Sequence, residues 1–278
     1  MPLVPTSEIV DDAREGGRGV GAFNAICLEH AEAIVAGAET AGLPVIVQIS
    51  ENAVKFHRGQ VAPLAAACAA VARASSVPVS LHLDHVETDD LLHRAEGMFG
   101  SVMYDASKLP YDDNVTATRA AVLWGRARGI WVESELGEVG GKDGAHAPGA
   151  RTDPDEAAAY VAATGVDALA VAVGSSHAML ERNAVLDHDL IARLRDSVPV
   201  PLVLHGSSGV PDDELRAAVR AGMVKINIGT ALNIAFTGAV RERLGADAGV
   251  VDPRKYLAPA RDAMAQVVAD SLAVLAMR

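Results

Sequence analysis

The chain has 278 residues, half of them apolar but only 4% aromatic, and carries a net charge of −12. Its length suits one α/β barrel, a fold that commonly runs near ~250 residues as a single domain. The acidic balance argues against a nucleic-acid partner, which needs a basic face. It leaves an anionic small molecule open, because the field inside a pocket is local.

The opening MPLVPTSEIV lacks a basic-then-apolar signal pattern. The longest apolar run, VAPLAAACAAVA at 61–72, is too short to span a bilayer. A cytoplasmic protein with no membrane partner is the expectation. Cys27 and Cys68 form no CxxC pair and read as buried, reduced thiols.

Strand-like apolar runs then alternate with Ala-rich helical stretches. The strands are GVGAFNAI (19–26), PVIVQIS (44–50), VPVSLHLDH (77–85), SVMYDAS (101–107), IWVESELG (130–137), DALAVAVG (167–174), VPLVLHG (200–206) and MVKINIGT (223–230). Their spacing suits βαβ units and a parallel sheet. Eight such units imply closure into a (β/α)8 TIM barrel, one domain over 1–278 with an extra C-terminal helix. The only long loop covers about 138–152, and a loop of that length is more often functional than accidental. After it, Asp153-Pro154 supplies an acidic cap and an N1 proline for a helix. Pro211 with Asp212, Asp213 and Glu214 reads the same way, and Gly222 stops that helix. A helix over about 230–244, a turn at DPRKY and a last helix finish the chain.

Active groups of such barrels sit where strands end. Strand three ends Asp84-His85, strand six runs through Gly174-Ser175-Ser176 into His177, and strand seven ends His205-Gly206. Three imidazoles on one rim form an open catalytic metal site rather than a closed structural one. His82, two residues before Asp84, shares its face and can support the site from behind. His30, His57, His93 and His188 read as surface or helix-end residues, and His146 as a loop residue. Glu133 and Glu135 share a face of strand five, and Asp105 ends strand four. Lys225 and Asn227 should face the barrel axis, with Val224, Ile226 and Ile228 facing the helices. An ion-pair role is preferred for Lys225; a Schiff-base lysine would have to be uncharged among acids. HGSSG at 205–209 and NIGT at 227–230 follow adjacent strands, which is the usual place of a barrel phosphate cradle.

The segments LHLDH, SVMYDASKLPYDDN, WVESELGEVGG, TGVDALAVAVGSSH, PLVLHGSSGVP, KINIGT and DPRKY occur in order over most of the chain. They resemble the class II, metal-dependent fructose-bisphosphate and tagatose-bisphosphate aldolases. The resemblance implies reversible cleavage of a ketose 1,6-bisphosphate, fructose 1,6-bisphosphate first, to dihydroxyacetone phosphate and glyceraldehyde 3-phosphate. Tagatose 1,6-bisphosphate and 6-phospho-5-dehydro-2-deoxygluconate are the alternative substrates. It implies that His85, His177 and His205 bind one Zn2+ and that Asp84 is the acid/base at the C4 oxygen. Gly206, Ser207, Ser208, Asn227, Gly229 and Thr230 would hold the triose phosphate, with Asn24 and Ser50 lining the same pocket. Arg254 would reach the distal phosphate of a neighbouring subunit, which implies a homo-oligomer. A monovalent cation near position 178 belongs to the same pattern.

The chain departs from that pattern at several places. Val86 and Ala178 stand where the family has glycine, HGSSG replaces HGGSG, and Asp143 takes the place of the mobile-loop glutamate as the second catalytic acid. The stretch between His85 and Asp105 is one residue short. Other readings of the same residues are a metal-dependent barrel hydrolase, a Schiff-base aldolase and a non-catalytic supporting subunit. The hydrolase would have no reason for two phosphate turns.

Overall fold

A computed structural model describes residues 2–136, 150–177 and 179–278. Asp143, His146 and Ala178 lie outside the described residues. In chain order the elements are α1 (Thr6–Glu15), β1 (Val20–Asn24), α2 (Leu28–Ala41), β2 (Val45–Ser50), α3 (Glu51–Phe56) and α4 (Ala62–Ala74). They continue with β3 (Val79–Val86), α5 (Asp89–His93), β4 (Ser101–Tyr104), α6 (Tyr111–Arg126), β5 (Trp131–Leu136) and α7 (Pro154–Thr164). The rest are β6 (Ala168–Val171), α8 (His188–Ser197), β7 (Leu202–Leu204), α9 (Asp212–Ala221), β8 (Met223–Ile228), α10 (Thr230–Ala246) and α11 (Arg254–Leu275).

The eight strands are all parallel and close in sequence order, with β1 paired to both β2 and β8. Alternation along each strand sends one set of side chains outward and one to the axis. On β3, Leu81 and Leu83 join the main core between sheet and helices. Ser80, His82 and Asp84 form the inward set and are all buried. The axis is graded. Ile9, Val10 and Ala13 of α1 plug its lower end against Val20, Ala22, Ile46 and Val224. Polar Gln48, His82, Glu133 and Lys225 lie on the same axis with no exposed surface. Val224 corrects the expected pattern: it joins the plug rather than the helix-facing core. The β7–β8 register slips there, from Leu202↔Met223 to Val203↔Lys225. A residue left out of the ladder in this way is freed from simple alternation.

The helix ends obey local chemistry. The Asp153 carboxylate accepts from the N–H groups of Asp155 and Glu156, Pro154 follows it, and Gly165 closes α7 in the left-handed region. Pro211 is itself the N-cap of α9, with no side-chain cap, so it is one place earlier than expected. The acids behind it still favour the positive end of that helix. DPRKY is not wholly a turn, since α11 begins at Arg254.

The helix beyond eight is present, with a division of labour. α11 packs beside α9, α2 and β1, whereas α10 packs across α11 and buries Leu232. α2 and α11 meet almost backbone to backbone. A Cβ at Gly37 would lie 2.5 Å from the Ala265 carbonyl oxygen and 2.6 Å from Val268 Cβ. Gly37→Ala is therefore expected to destabilise the fold by about 1–3 kcal/mol despite alanine's better helix propensity. A lower urea midpoint would show it; an unchanged or raised midpoint would mean the two helices separate easily.

Two local expectations are met only in part. His30 is buried in α2, with Nδ1 2.9 Å from Cys27 Sγ and its ring stacked on Phe236 of α10. Packing of α10 over this face covers it, which local sequence does not reveal. Cys27 is only half-buried, while Cys68 is buried. Burial pushes the two thiols up, to about 11 and about 12. His57, His93 and His188 do lie at helix ends.

Candidate active site

The upper ends of the strands surround a cavity of about 490 Å³. Asp84, His85 and His177 line it, together with Asn24 and Ser50. Gly206, Ser207, Ser208, Asn227, Gly229 and Thr230 line it as well. One ring nitrogen from each of His85, His177 and His205 lies within 4.8 Å of the other two. The strands carrying these histidines are separated in sequence, so only barrel closure brings them together.

Local backbone geometry aims the rings. His85 has φ +53°, a left-handed conformation unusual for a side chain with a Cβ. It sits in a bulge, where the β3–β4 register shifts between Leu83 and Val86. Such strain is of order 1–3 kcal/mol and is held by the surrounding structure. The ladder of β6 stops at Val171, short of the expected 174, so His177 follows a non-strand stretch. Gly206 has φ +65°, and a Cβ there would lie 2.5 Å from the Ser176 carbonyl carbon and 2.9 Å from the His177 nitrogen. The glycine thus lets the His205 and His177 segments touch.

Carboxylates orient the imidazoles from behind. His85 Nδ1 lies 2.9 Å from Asp105 Oδ2, and His205 Nε2 lies 3.0 Å from Glu133 Oε1. His205 Nδ1 faces Glu135 Oε2 at 3.3 Å but makes no hydrogen bond among the described residues. A fully buried ring nitrogen in that condition, converging with two others, fits a divalent metal. Burial alone would lower the His205 ring, but the Glu133 and Glu135 carboxylates beside it hold it up at about 9. Glu133 is held well below the usual carboxylate range: burial opposes this, but Lys225 and His205 override it. Asp105→Ala removes the partner of His85 and is expected to weaken metal affinity roughly 10–100-fold. Competition with a chromophoric chelator measures this; unaltered affinity would mean that Asp105 does not orient the ligand.

Asp84 stands beside the cluster, its Oδ2 3.8 Å from His85 Nε2. Gln48 donates to Oδ2 and Asn227 to Oδ1, each at 3.4 Å. Burial would raise this carboxyl, yet the His85 and His205 rings, with Lys225, bring it below its ordinary value. It is poised as an anion. Gln48 is a site residue that the sequence reading missed. The signal was available, since Gln48 lies two residues before Ser50 on the same strand face. Ser50 also has a local job, accepting from the Ala53 N–H as the cap of α3.

The Gly/Ser-rich part of the lining has the make-up of an anion cradle. A 3-10 turn at Ser207–Gly209 and the start of α10 present backbone N–H groups at its rim. Gly229 has no Cβ because one would sit 2.9 Å from Asn24 Oδ1. Ser208 Oγ accepts from Ala231 N–H, and Ser207 Oγ donates to the Asn227 carbonyl. Lys55 and Lys108 also line the cavity, beside Glu51 and Glu87 respectively. They carried no strand-end signal, being on a helix and in a loop. Arg254 is apart from all this. Its side chain is 88% exposed and paired with Asp252, outside the cavity.

A parallel barrel with a three-histidine centre facing a Gly/Ser anion cradle is the construction of a metal-dependent enzyme acting on a phosphorylated small molecule. The family profile described as Fructose-bisphosphate aldolase class-II matches residues 4–278. Fructose-bisphosphate aldolases of Geobacillus stearothermophilus and Thermus caldophilus are each 39% identical to the chain, covering 96% of it and 95% of their own lengths. The crystal structure of the YdjI aldolase from Escherichia coli K12 superposes with a TM-score of 0.84 at 30% identity, over 98% of this chain and 97% of that one. The chain belongs to the class-II fructose-bisphosphate aldolase family, and it is an aldolase, a carbon–carbon lyase.

Proposed function

We propose that residues 1–278 act as one domain that reversibly cleaves fructose 1,6-bisphosphate to dihydroxyacetone phosphate and glyceraldehyde 3-phosphate, with zinc on His85, His177 and His205. The observation that carries this reading is the convergent histidine cluster, with His205 buried and carboxylates behind His85 and His205, sharing one cavity with the Gly/Ser turns. The names of the most similar relatives favour fructose over other ketoses. A divalent metal bound to these three nitrogens supplies Lewis-acid stabilisation of the negative charge that develops on substrate oxygens.

The chain's own residues do the rest. The Gly206–Ser208 turn and the start of α10 bind the phosphate next to the ketone, through backbone N–H groups and hydroxyls. Asn24, in hydrogen-bond contact with Gln48, steadies the sugar hydroxyls beside it. Asp84 takes the proton from the C4 hydroxyl as the C3–C4 bond breaks, and returns it in the condensation direction; the electron pair left on C3 takes a proton from a second acid, the role proposed for Asp143. Gln48 and Asn227 hold that carboxylate between them. In a homo-oligomer, Arg254 of one subunit reaches the distal phosphate at its neighbour's site; its exposure in the isolated chain agrees with such a role.

A coupled cleavage assay tests this on fructose 1,6-bisphosphate, tagatose 1,6-bisphosphate and 6-phospho-5-dehydro-2-deoxygluconate, each with and without a chelator. Fastest turnover on the first sugar, lost on chelation and restored by zinc, is expected. Full activity in stripped protein, or cleavage of a simple ester instead, removes the reading.

A further inference from the structure

A line of hydrogen-bonding groups connects the plug helix to Asp84 along the barrel axis. Thr6 Oγ1, on the first residue of α1, lies 2.5 Å from Ser80 Oγ and 2.6 Å from Ser101 Oγ. Ser101 Oγ in turn lies 2.8 Å from His82 Nδ1. His82 Nε2 points the other way, 3.8 Å from Asp84 Oδ1 and 4.0 Å from Glu133 Oε2. All six residues are buried.

Each hydroxyl has a single hydrogen, so the directions can be solved. Suppose His82 Nδ1 carried the proton and donated to Ser101. Its Nε2 lone pair would then face two carboxylate oxygens with no hydrogen bond to offset the repulsion. A doubly protonated ring would be a buried cation in the field of Lys225, which both burial and that charge disfavour. The remaining assignment puts every hydroxyl hydrogen on an acceptor. Ser80 donates to Thr6, Thr6 to Ser101, and Ser101 to His82 Nδ1. The His82 Nε2–H then faces Asp84 and Glu133.

We propose that Thr6 and Ser101 are positioning residues for Asp84: they lock His82 in the Nε2–H form and so turn an N–H dipole, not a lone pair, toward the catalytic carboxylate. At 3.8 Å the contact is too long for a full hydrogen bond. Its effect is electrostatic and acts among buried groups. The assignment of the ring hydrogen does not depend on the function; the catalytic consequence rests on the proposed role of Asp84.

Nitrogen NMR of histidine-labelled, metal-loaded protein reads the tautomer directly, with His82→Asn identifying the signals. Wild type should show a protonated Nε2 and an unprotonated Nδ1 at His82. Ser101→Ala and Thr6→Val should mix the tautomers and lower kcat about 10-fold, the lower end of what orienting partners contribute. KM and the thermal midpoint should stay near wild type. Thr6→Ser keeps the hydroxyl and should keep both tautomer and kcat. A wild-type ring protonated at Nδ1 or at both nitrogens overturns the proposal. So does Ser101→Ala with an unchanged tautomer, or a mixed tautomer at undiminished kcat. A wild-type protein inactive on every ketose phosphate would instead remove the functional reading, leaving the tautomer measurement to stand by itself.

Discussion

Asp84→Ala is expected to lower kcat by about 10²–10⁴-fold, the usual range for losing a positioned acid/base, while the protein keeps its metal. Retention follows from the division of labour around the cluster. Asp105 orients His85 and Glu133 orients His205, so neither of these rings relies on Asp84 for its aim. The fold should survive as well, since the carboxylate's partners Gln48 and Asn227 have other hydrogen bonds, to Asn24 and Lys225. Steady-state kinetics with metal analysis on the same sample separates the two effects. A kcat within a few-fold of wild type would take the proton-transfer role away from Asp84. Loss of metal in step with activity would make Asp84 part of the metal site instead.

Lys225→Met should destabilise the fold by about 3–5 kcal/mol, because it leaves a buried carboxylate without its cation. Lys225 has no exposed surface; its ammonium donates to Asn227 Oδ1 and lies 2.8 Å from Glu133 Oε2. Methionine keeps much of the stem, so the change isolates the charge rather than the packing. Removing both charges in Lys225→Met/Glu133→Gln should recover a large part of the loss, and the double-mutant cycle gives the coupling directly. Urea midpoints at constant slope are the measurement. A loss under about 1 kcal/mol would mean that His205 alone neutralises Glu133 and that the lysine is there for chemistry. Borohydride trapping with substrate would then be the next test, since an imine at Lys225 is the rival explanation.

Much of this architecture was open to reading along the chain. Period-two alternation in VSLHLDH and in KINI separates apolar from polar faces, and closure of eight such strands leaves the polar set only the axis. The histidines at 85, 177 and 205 were legible because a barrel places strand ends on one rim. Other features were not. α1 was not anticipated at all, because a short helix that plugs a barrel looks like any amphipathic segment until the barrel exists. The left-handed backbone at His85 has no local signal, since valine rather than glycine follows it and the bulge is a property of two paired strands. The ends of β4, β6 and β7 were read too long, because the ladder stops before the apolar pattern does.

By itself the sequence determined the period of each element, the residues able to bind metal or phosphate, and the order in which they meet the rim. Those are local properties, carried by side-chain chemistry and spacing. Only tertiary structure decided which acid stands behind which imidazole, that Gln48 and Asn227 hold Asp84, and that Thr6 joins His82 through Ser101. Such pairings depend on strand register, twist and packing across the axis, and those are fixed when the barrel closes.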